Sequence, residues 1–194
     1  MLEDQIILQM PPDLQMTEEQ FFEFCQINRD LQIETNKSGE LLIMSPTGSE
    51  TGNREFNLCV QLGIWSEQDG TGIAFSSSTG FTLSTGTKKS PDASWIKLER
   101  WNSLSQEQKE KFAPICPDFV VELMSASDSL KTLQAKMTEY MEEPGVKLGW
   151  LIDRKGRKVY IYRPGMPTEC LENPDSVSGD PVLPGFVLKM SKIW

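Results

Sequence analysis

The chain has 194 residues, of which 38% are hydrophobic and 24% charged, a composition that excludes an intrinsically disordered protein. Its length suits a single domain, residues 1–194. It contains no histidine and its four cysteines are far apart, which argues against zinc fingers and against catalysis by a histidine base. Carboxylates and lysines remain for chemistry, and carboxylates without histidine favour hard cations such as Mg²⁺ or Mn²⁺.

The net charge of −9 argues against a protein that binds nucleic acid through basic residues over its whole surface. Binding would need a dimer groove, a partner or a basic stripe, for which the candidates are Lys88, Lys89, Lys97, Arg100 and Lys131. No stretch approaches the roughly 18 apolar residues of a membrane span. The N-terminus lacks the basic region of a signal peptide, so we expect a cytoplasmic protein with no membrane association.

Residues 1–44 predict a helix and a hairpin ahead of the main sheet. A short strand over residues 6–8 is followed by a helix that Thr17 caps and that ends near Asn28. Strands over residues 31–35 and 40–44 then form a hairpin, because the residues between them are typical of tight turns. We expect this segment to be an N-terminal extension of the main domain.

Residues 45–163 predict the main domain, in which short strands are interspersed with helices. Helices are expected over residues 50–67, 105–111 and 130–143, and strands over residues 73–75, 80–83, 92–97, 119–124, 148–153 and 158–163. Residues 164–194 are rich in proline and glycine and form a C-terminal extension. The order of elements predicts an α/β fold.

Glu122 is the strongest single indication of a functional site. It lies in the apolar run Phe119-Val120-Val121-Glu122-Leu123-Met124, where side chains alternate and Glu122 shares a face with Val120 and Met124. An ionised carboxylate is rarely buried unless it is paired or bound to metal. The alternative interpretation is an edge strand whose glutamate faces water.

Asp92 begins the predicted strand over residues 92–97, directly after Ser90 and Pro91. Its alternative interpretation is that of a turn residue, since aspartate after proline is common in turns. Two carboxylates on neighbouring strands can bind one hard cation. The presence of Glu122 therefore strengthens the interpretation of Asp92 as a site residue. Such a cation polarises a phosphate and lowers the pKa of a bound water.

Lys136 lies at the border of the buried face of the helix over residues 130–143. That face is marked by Leu130, Leu133, Met137 and Tyr140. From the border, the lysine stem can cross apolar surface and present its ammonium group to a site, or the side chain can simply be solvated. Gln134, on the opposite border, is a further candidate to point inward.

Glu50 has two interpretations of equal weight. Thr47 and Glu50 have the spacing of a capping box at the start of the long helix, and an acid in the first turn is favoured by the helix dipole. Glu50 is also placed to be a site residue. Ser125, Ser127 and Asp128 are explained as caps of the helix over residues 130–143.

Taken in order, the segments MSPTGSE, SSSTGF, SPDASW, CPDFVVELMSASDSLKTLQAKMTEY, GWLID and VYIYRPG resemble the Uma-type putative restriction endonuclease family, within the PD-(D/E)XK nuclease superfamily. The likeness extends from about residue 15 to Trp194, and the block over residues 90–153 is the most specific part. The resemblance implies a mixed central sheet with the long helix on one face and the helix over residues 130–143 on the other.

The resemblance also implies roles for individual residues. Asp92 and Glu122 correspond to the two acids of the superfamily, and Glu50 to a helix-borne acid that some members use as a further metal ligand. The position of the superfamily lysine, two residues after the second acid, is occupied by Met124, and Lys136 takes its place. A histidine that many members carry near the start of the long helix is absent.

The implied activity is Mg²⁺- or Mn²⁺-dependent hydrolysis of DNA by a homodimer acting on double-stranded DNA. Asp92, Glu122 and the Leu123 carbonyl would hold the metal with Glu50 nearby, Lys136 would orient or deprotonate the attacking water, and Gln134 is a possible accessory residue. Two alternatives remain. One is a catalytically inactive nuclease-fold module that binds nucleic acid or a protein, and the other is a hydrolase of a different phosphodiester.

Overall fold

The computed structural model describes residues 5–11, 16–126 and 128–194. The N-terminal part contains strand β1 (Gln5–Leu8), helix α1 (Glu18–Ile27), β2 (Gln32–Thr35) and β3 (Leu41–Met44). Thr17 caps α1 in a capping box with Gln20, and the strands form an antiparallel sheet in the order β1-β3-β2. The predicted cap and hairpin are therefore confirmed.

The central sheet has six strands in the order β11-β10-β9-β8-β7-β4. Its members are β4 (Gly72–Ser76), β7 (Ala93–Lys97), β8 (Phe119–Leu123), β9 (Leu148–Asp153), β10 (Lys158–Tyr162) and β11 (Glu169–Glu172). A separate two-stranded pair, β5 (Phe81–Thr82) and β6 (Lys88–Lys89), precedes β7. β8 and β9 are parallel and the other neighbours antiparallel, so the predicted mixed sheet is confirmed.

The two faces of the sheet are covered by different helices, as expected. The helices are α2 (Ser49–Asp69), α3 (Leu98–Asn102), α4 (Gln106–Glu110) and α5 (Leu130–Met141). On one face, Phe119, Val121 and Leu123 of β8 pack with Leu58 and Leu62 of α2. On the other face, Val120 packs with Met137 and Tyr140 of α5, which is the crossover that parallel β8 and β9 require.

The C-terminal extension completes the core on the α2 face. It contains β12 (Ser176–Ser178), β13 (Val187–Lys189) and a short 3-10 helix, Met190–Lys192. The Phe186 ring stacks on Trp150 of β9 with centroids 5.9 Å apart. The extension therefore supplies part of the hydrophobic core.

The predicted capping box at the start of α2 is wrong. The N-cap of α2 is Gly48 and makes no side-chain hydrogen bond, so Thr47 and Glu50 form no capping box. The N-cap of α5 is Ser129, and Asp128 accepts a hydrogen bond from the Ser125 N–H at 2.7 Å. Ser127 lies outside the described residues. Within the part of the chain that the structure describes, no helix is both long and apolar enough to cross a bilayer.

Two glycines, one in the sheet and one in α2, differ in the space around them. A Cβ at Gly72 in β4 would overlap the Trp95 ring and the Ile96 carbonyl, whereas a Cβ at Gly63 in α2 would meet nothing within 4 Å. We expect Gly72→Ala to lower the free energy of unfolding by about 1–3 kcal/mol through overpacking. We expect Gly63→Ala to raise it by about 0.5–1 kcal/mol, because alanine loses less backbone entropy in a helix. Denaturant unfolding followed by circular dichroism measures both, and equal effects would contradict this packing.

Candidate active site

The structure brings Asp92 and Glu122 together at one end of the central sheet. The antiparallel register pairs Ala93 of β7 with Val121 of β8, which places Asp92, one residue earlier, beside Glu122. The Asp92 carboxylate accepts a hydrogen bond from the Leu123 N–H at 2.6 Å. Glu122 lies on the α5 face of the sheet, where it contacts Lys136 and Tyr140.

Glu122 is a buried carboxylate with only 3% of its surface exposed. β8 lies between β7 and β9, so the edge-strand alternative is wrong. Its Oε1 accepts a hydrogen bond from the Tyr140 hydroxyl at 3.1 Å and lies 2.9 Å from Lys136 Nζ. Both partners come from α5, one turn apart, and therefore reach the same oxygen.

Lys136 is not a solvated lysine, since its side chain is only 13% exposed. Its Nζ lies 2.9 Å from Glu122 Oε1 and 2.9 Å from Glu34 Oε1, so the ammonium group lies between two carboxylates. The structure thus brings Lys136 into contact with Glu122, one of the two acids that the sequence singled out, and its charge also acts on Asp92.

Glu34 is a residue of this site that sequence reasoning missed. It lies in β2 of the N-terminal hairpin and is only 2% exposed. Besides Lys136, its carboxylate accepts a hydrogen bond from the Ser90 N–H at 2.9 Å and lies 3.9 Å from Lys89 Nζ. Lys89 Nζ is 3.2 Å from Glu139 of α5, so charges of opposite sign alternate along the cluster. A single glutamate in a four-residue strand carries no local signal of burial.

Burial and mutual repulsion raise the free energy of the ionised forms of Asp92 and Glu122. Burial, followed by the charge of Glu122, raises the pKa of Asp92 well above its usual value, although Lys136 and the Leu123 N–H oppose the shift. Burial also raises the pKa of Glu122, against the opposing effect of Lys136. Burial lowers the pKa of Lys136, but the charges of Glu122 and Glu34 outweigh it and raise that pKa above its ordinary value. Two acids that resist ionisation beside a charged lysine form a site that a further cation would stabilise.

The oxygen ligands of the site fit Mg²⁺ or Mn²⁺ better than a metal that needs a closed protein cage. Among the described residues, no group of three or more cysteine, aspartate or glutamate side chains is arranged to hold a metal ion. Asp92 and Glu122 offer two carboxylates, with the main chain of Leu123 beside them. Mg²⁺ commonly binds through one or two carboxylates and keeps waters or substrate phosphates as its remaining ligands.

Glu50 is not brought to these residues. Its side chain is 80% exposed and lies 3.2 Å from Arg54 and 3.5 Å from Arg154. Glu55, further along α2, accepts a hydrogen bond from the Ser77 hydroxyl, and its charge contributes to the raised pKa of Asp92. Of these two acids of α2, Glu55 is the one whose charge acts on Asp92.

Gln134 and Leu123 are two further predicted positions. Gln134 is half-buried in α5, and its carbonyl accepts a hydrogen bond from the Thr138 hydroxyl at 3.0 Å. Leu123 belongs to β8, where it pairs with Ile152 of β9. Its N–H is committed to Asp92.

Comparison with known proteins identifies the family. Residues 18–191 match the sequence model of the Uma2 family, described as "Putative restriction endonuclease". The fold is similar to that of a crystal structure described as a putative nuclease belonging to DUF820, from Anabaena variabilis. That structure is 19% identical, with a TM-score of 0.71 over 92% of this chain and 97% of the other. No curated protein matches the chain. Because the family match spans nearly the whole sequence, the chain belongs to the Uma2 family of putative restriction endonucleases.

Proposed function

We propose that the protein is a metal-dependent endonuclease that hydrolyses phosphodiester bonds of DNA at the site formed by Asp92, Glu122 and Lys136. The family and the fold support a nuclease. The observation that carries the proposal is the position of Lys136 Nζ, 2.9 Å from the buried carboxylate that lies beside Asp92. Two acids and one lysine are the groups that the superfamily uses for this reaction, here with the lysine on a helix.

The metal ligands in this proposal are Asp92, Glu122 and the Leu123 carbonyl. A bound Mg²⁺ or Mn²⁺ supplies Lewis-acid polarisation of the phosphate and a water of lowered pKa. Lys136 keeps its proton at neutral pH, because the neighbouring carboxylates raise its pKa. In this proposal it orients the attacking water and stabilises negative charge on the phosphate. Gln134 remains a candidate accessory residue.

The helix-borne acid in this proposal is Glu55 in place of Glu50. Glu55 bears on the pKa of Asp92, and Cys59, one turn later, contacts the Asp92 carbonyl at 3.5 Å through its thiol. This face of α2 therefore lies against Asp92. Glu50 is paired with two arginines near the helix start.

The proposed substrate is double-stranded DNA and the proposed active form is a homodimer. One site of this kind cuts one strand, and a two-fold symmetric dimer presents two sites to the two strands of a duplex. The support for both statements is the family itself.

One observation favours the second candidate function, a nuclease-fold module that binds a protein partner without catalysis. Four of the five basic residues considered for a DNA-binding stripe are paired with acids, namely Lys88 with Glu18, Lys89 with Glu139, Lys97 with Glu99 and Arg100 with Asp118. Paired lysines and arginines contribute less to phosphate binding than free ones. A cleavage assay separates the two functions.

We expect the purified protein to cut plasmid DNA in the presence of Mg²⁺ or Mn²⁺. Glu122→Gln and Lys136→Ala should each reduce the rate by about 100-fold or more, since each removes charge from the reacting centre. Gel electrophoresis of nicked and linear plasmid measures the rate.

Chelation with EDTA is the matched control and should abolish cleavage by the parent protein. Metal binding by calorimetry without cleavage would point to another substrate or a missing partner. If the parent protein neither binds metal nor cuts DNA, the non-catalytic module is the correct function.

Glu55 and Glu50 form a matched pair on one helix. We expect Glu55→Gln to reduce plasmid cleavage by about 10-fold or more, because groups around a metal site tune its ligands. We expect Glu50→Gln to leave the rate within about 2-fold, because a solvent-exposed ion pair contributes little. The same gel assay measures both, and the reverse order would return the helix-borne role to Glu50.

The proposed ligand Asp92 should reduce stability when no metal is bound. Its raised pKa means that ionisation costs more in the folded than in the unfolded chain, so the free energy of unfolding falls as the pH rises through that pKa. At neutral pH without divalent metal, we expect Asp92→Asn to raise the melting temperature by about 2–4 °C, equivalent to about 1 kcal/mol. Thermal unfolding followed by circular dichroism measures the shift.

Asp118→Asn is the control for this experiment. Asp118 is buried but bound to Arg100 at 2.7 Å, so removing its charge should lower the melting temperature. A fall in the melting temperature of Asp92→Asn as well would show that the Asp92 carboxylate stabilises the fold.

A further inference from the structure

We propose that Glu34 is a positioning residue that holds the Lys136 ammonium group in place, so that the N-terminal hairpin is part of the active site. This inference rests on the proposed function for its catalytic consequence. The geometric part, that Glu34 immobilises Lys136, can be tested without any activity.

The first observation is that Glu34 is buried although it is outside the central sheet. It is 2% exposed and belongs to β2, in the separate three-stranded sheet. A buried carboxylate loses its hydration and is retained only where partners compensate. Its partners are the Ser90 N–H at 2.9 Å, Lys136 Nζ at 2.9 Å and Lys89 Nζ at 3.9 Å.

The second observation is the symmetry of the contacts around Lys136. Its Nζ is 2.9 Å from Glu34 Oε1 and 2.9 Å from Glu122 Oε1. A lysine side chain is flexible, and an ion pair with one carboxylate leaves it several arrangements. A second carboxylate, from a different element, restricts the ammonium group to the position where both contacts are made.

The third observation is that the two faces of β2 make different kinds of contact. Ile33 packs with Phe21 and Leu41 in the hydrophobic core of the N-terminal part. Glu34 follows directly in the strand and so points the opposite way, towards Lys136. The apolar contacts that hold the hairpin are therefore separate from the polar contact that reaches the site.

The first measurement is the exchange of the Lys136 ammonium protons with water, by nuclear magnetic resonance on the full-length protein without metal. The resonance is assigned by its loss in Lys136→Ala. We expect slow exchange in the parent and in Ile33→Val, and exchange at least about 10-fold faster in Glu34→Gln, because the second ion pair is lost. Unchanged exchange in Glu34→Gln would overturn the proposal, whether or not the protein cuts DNA.

The second measurement is a double-mutant cycle on plasmid cleavage. We expect Glu34→Gln to lower kcat by about 100-fold with little change in KM, since misplacement of a catalytic group affects the reacting step. In the Lys136→Ala background, Glu34→Gln should cost nothing further, because its effect acts through Lys136. A purely structural role would instead give the same loss in both backgrounds, and that result would overturn the proposal.

Glu34→Asp keeps the charge on a shorter side chain and should fall between the parent and Glu34→Gln in both measurements. Circular dichroism and melting temperature show that each variant is folded. If the parent does not cut DNA, the proposed function fails, and the exchange measurement still decides the role of Glu34.

Discussion

The structure depends on keeping the carboxylate of Glu122 buried in the middle of a β-sheet. Desolvation of an isolated carboxylate costs several kcal/mol, roughly, so the neighbouring elements must supply partners. Tyr140 and Lys136 of α5 provide a hydrogen bond and a charge. Glu34 of the N-terminal hairpin then balances Lys136, and the hairpin is connected to the central sheet through this chain of contacts.

The alternation of side chains in β8 separates packing from chemistry. Phe119 and Val121 face α2 and a core that the C-terminal extension completes with Phe186. Glu122 faces α5 with the polar groups. A charge network placed on the other face would meet stacked aromatic rings, which offer it no partners. The sheet therefore holds Glu122 through apolar packing on the α2 face and polar contacts on the α5 face.

The position of the lysine on a helix follows from the same geometry. In the superfamily pattern the lysine lies on the strand two residues beyond the second acid, a position that Met124 occupies here. Lys136 and Tyr140 are one turn apart on α5 and both reach Glu122 Oε1. A lysine stem is long enough to bring its ammonium group to Glu122 from the facing helix.

Local patterns in the sequence predicted much of the fold and part of the site. The α1 cap, the N-terminal hairpin and the apolar strand that contains Glu122 were visible in local patterns, because periodicity and capping act over a few residues. The mixed sheet was implied by the resemblance to the family. Tertiary structure alone decided the rest. Glu34 meets Lys136 across 102 residues of sequence. Glu55 lies about 140° around α2 from Glu50, and only packing against the sheet determines which of them faces Asp92.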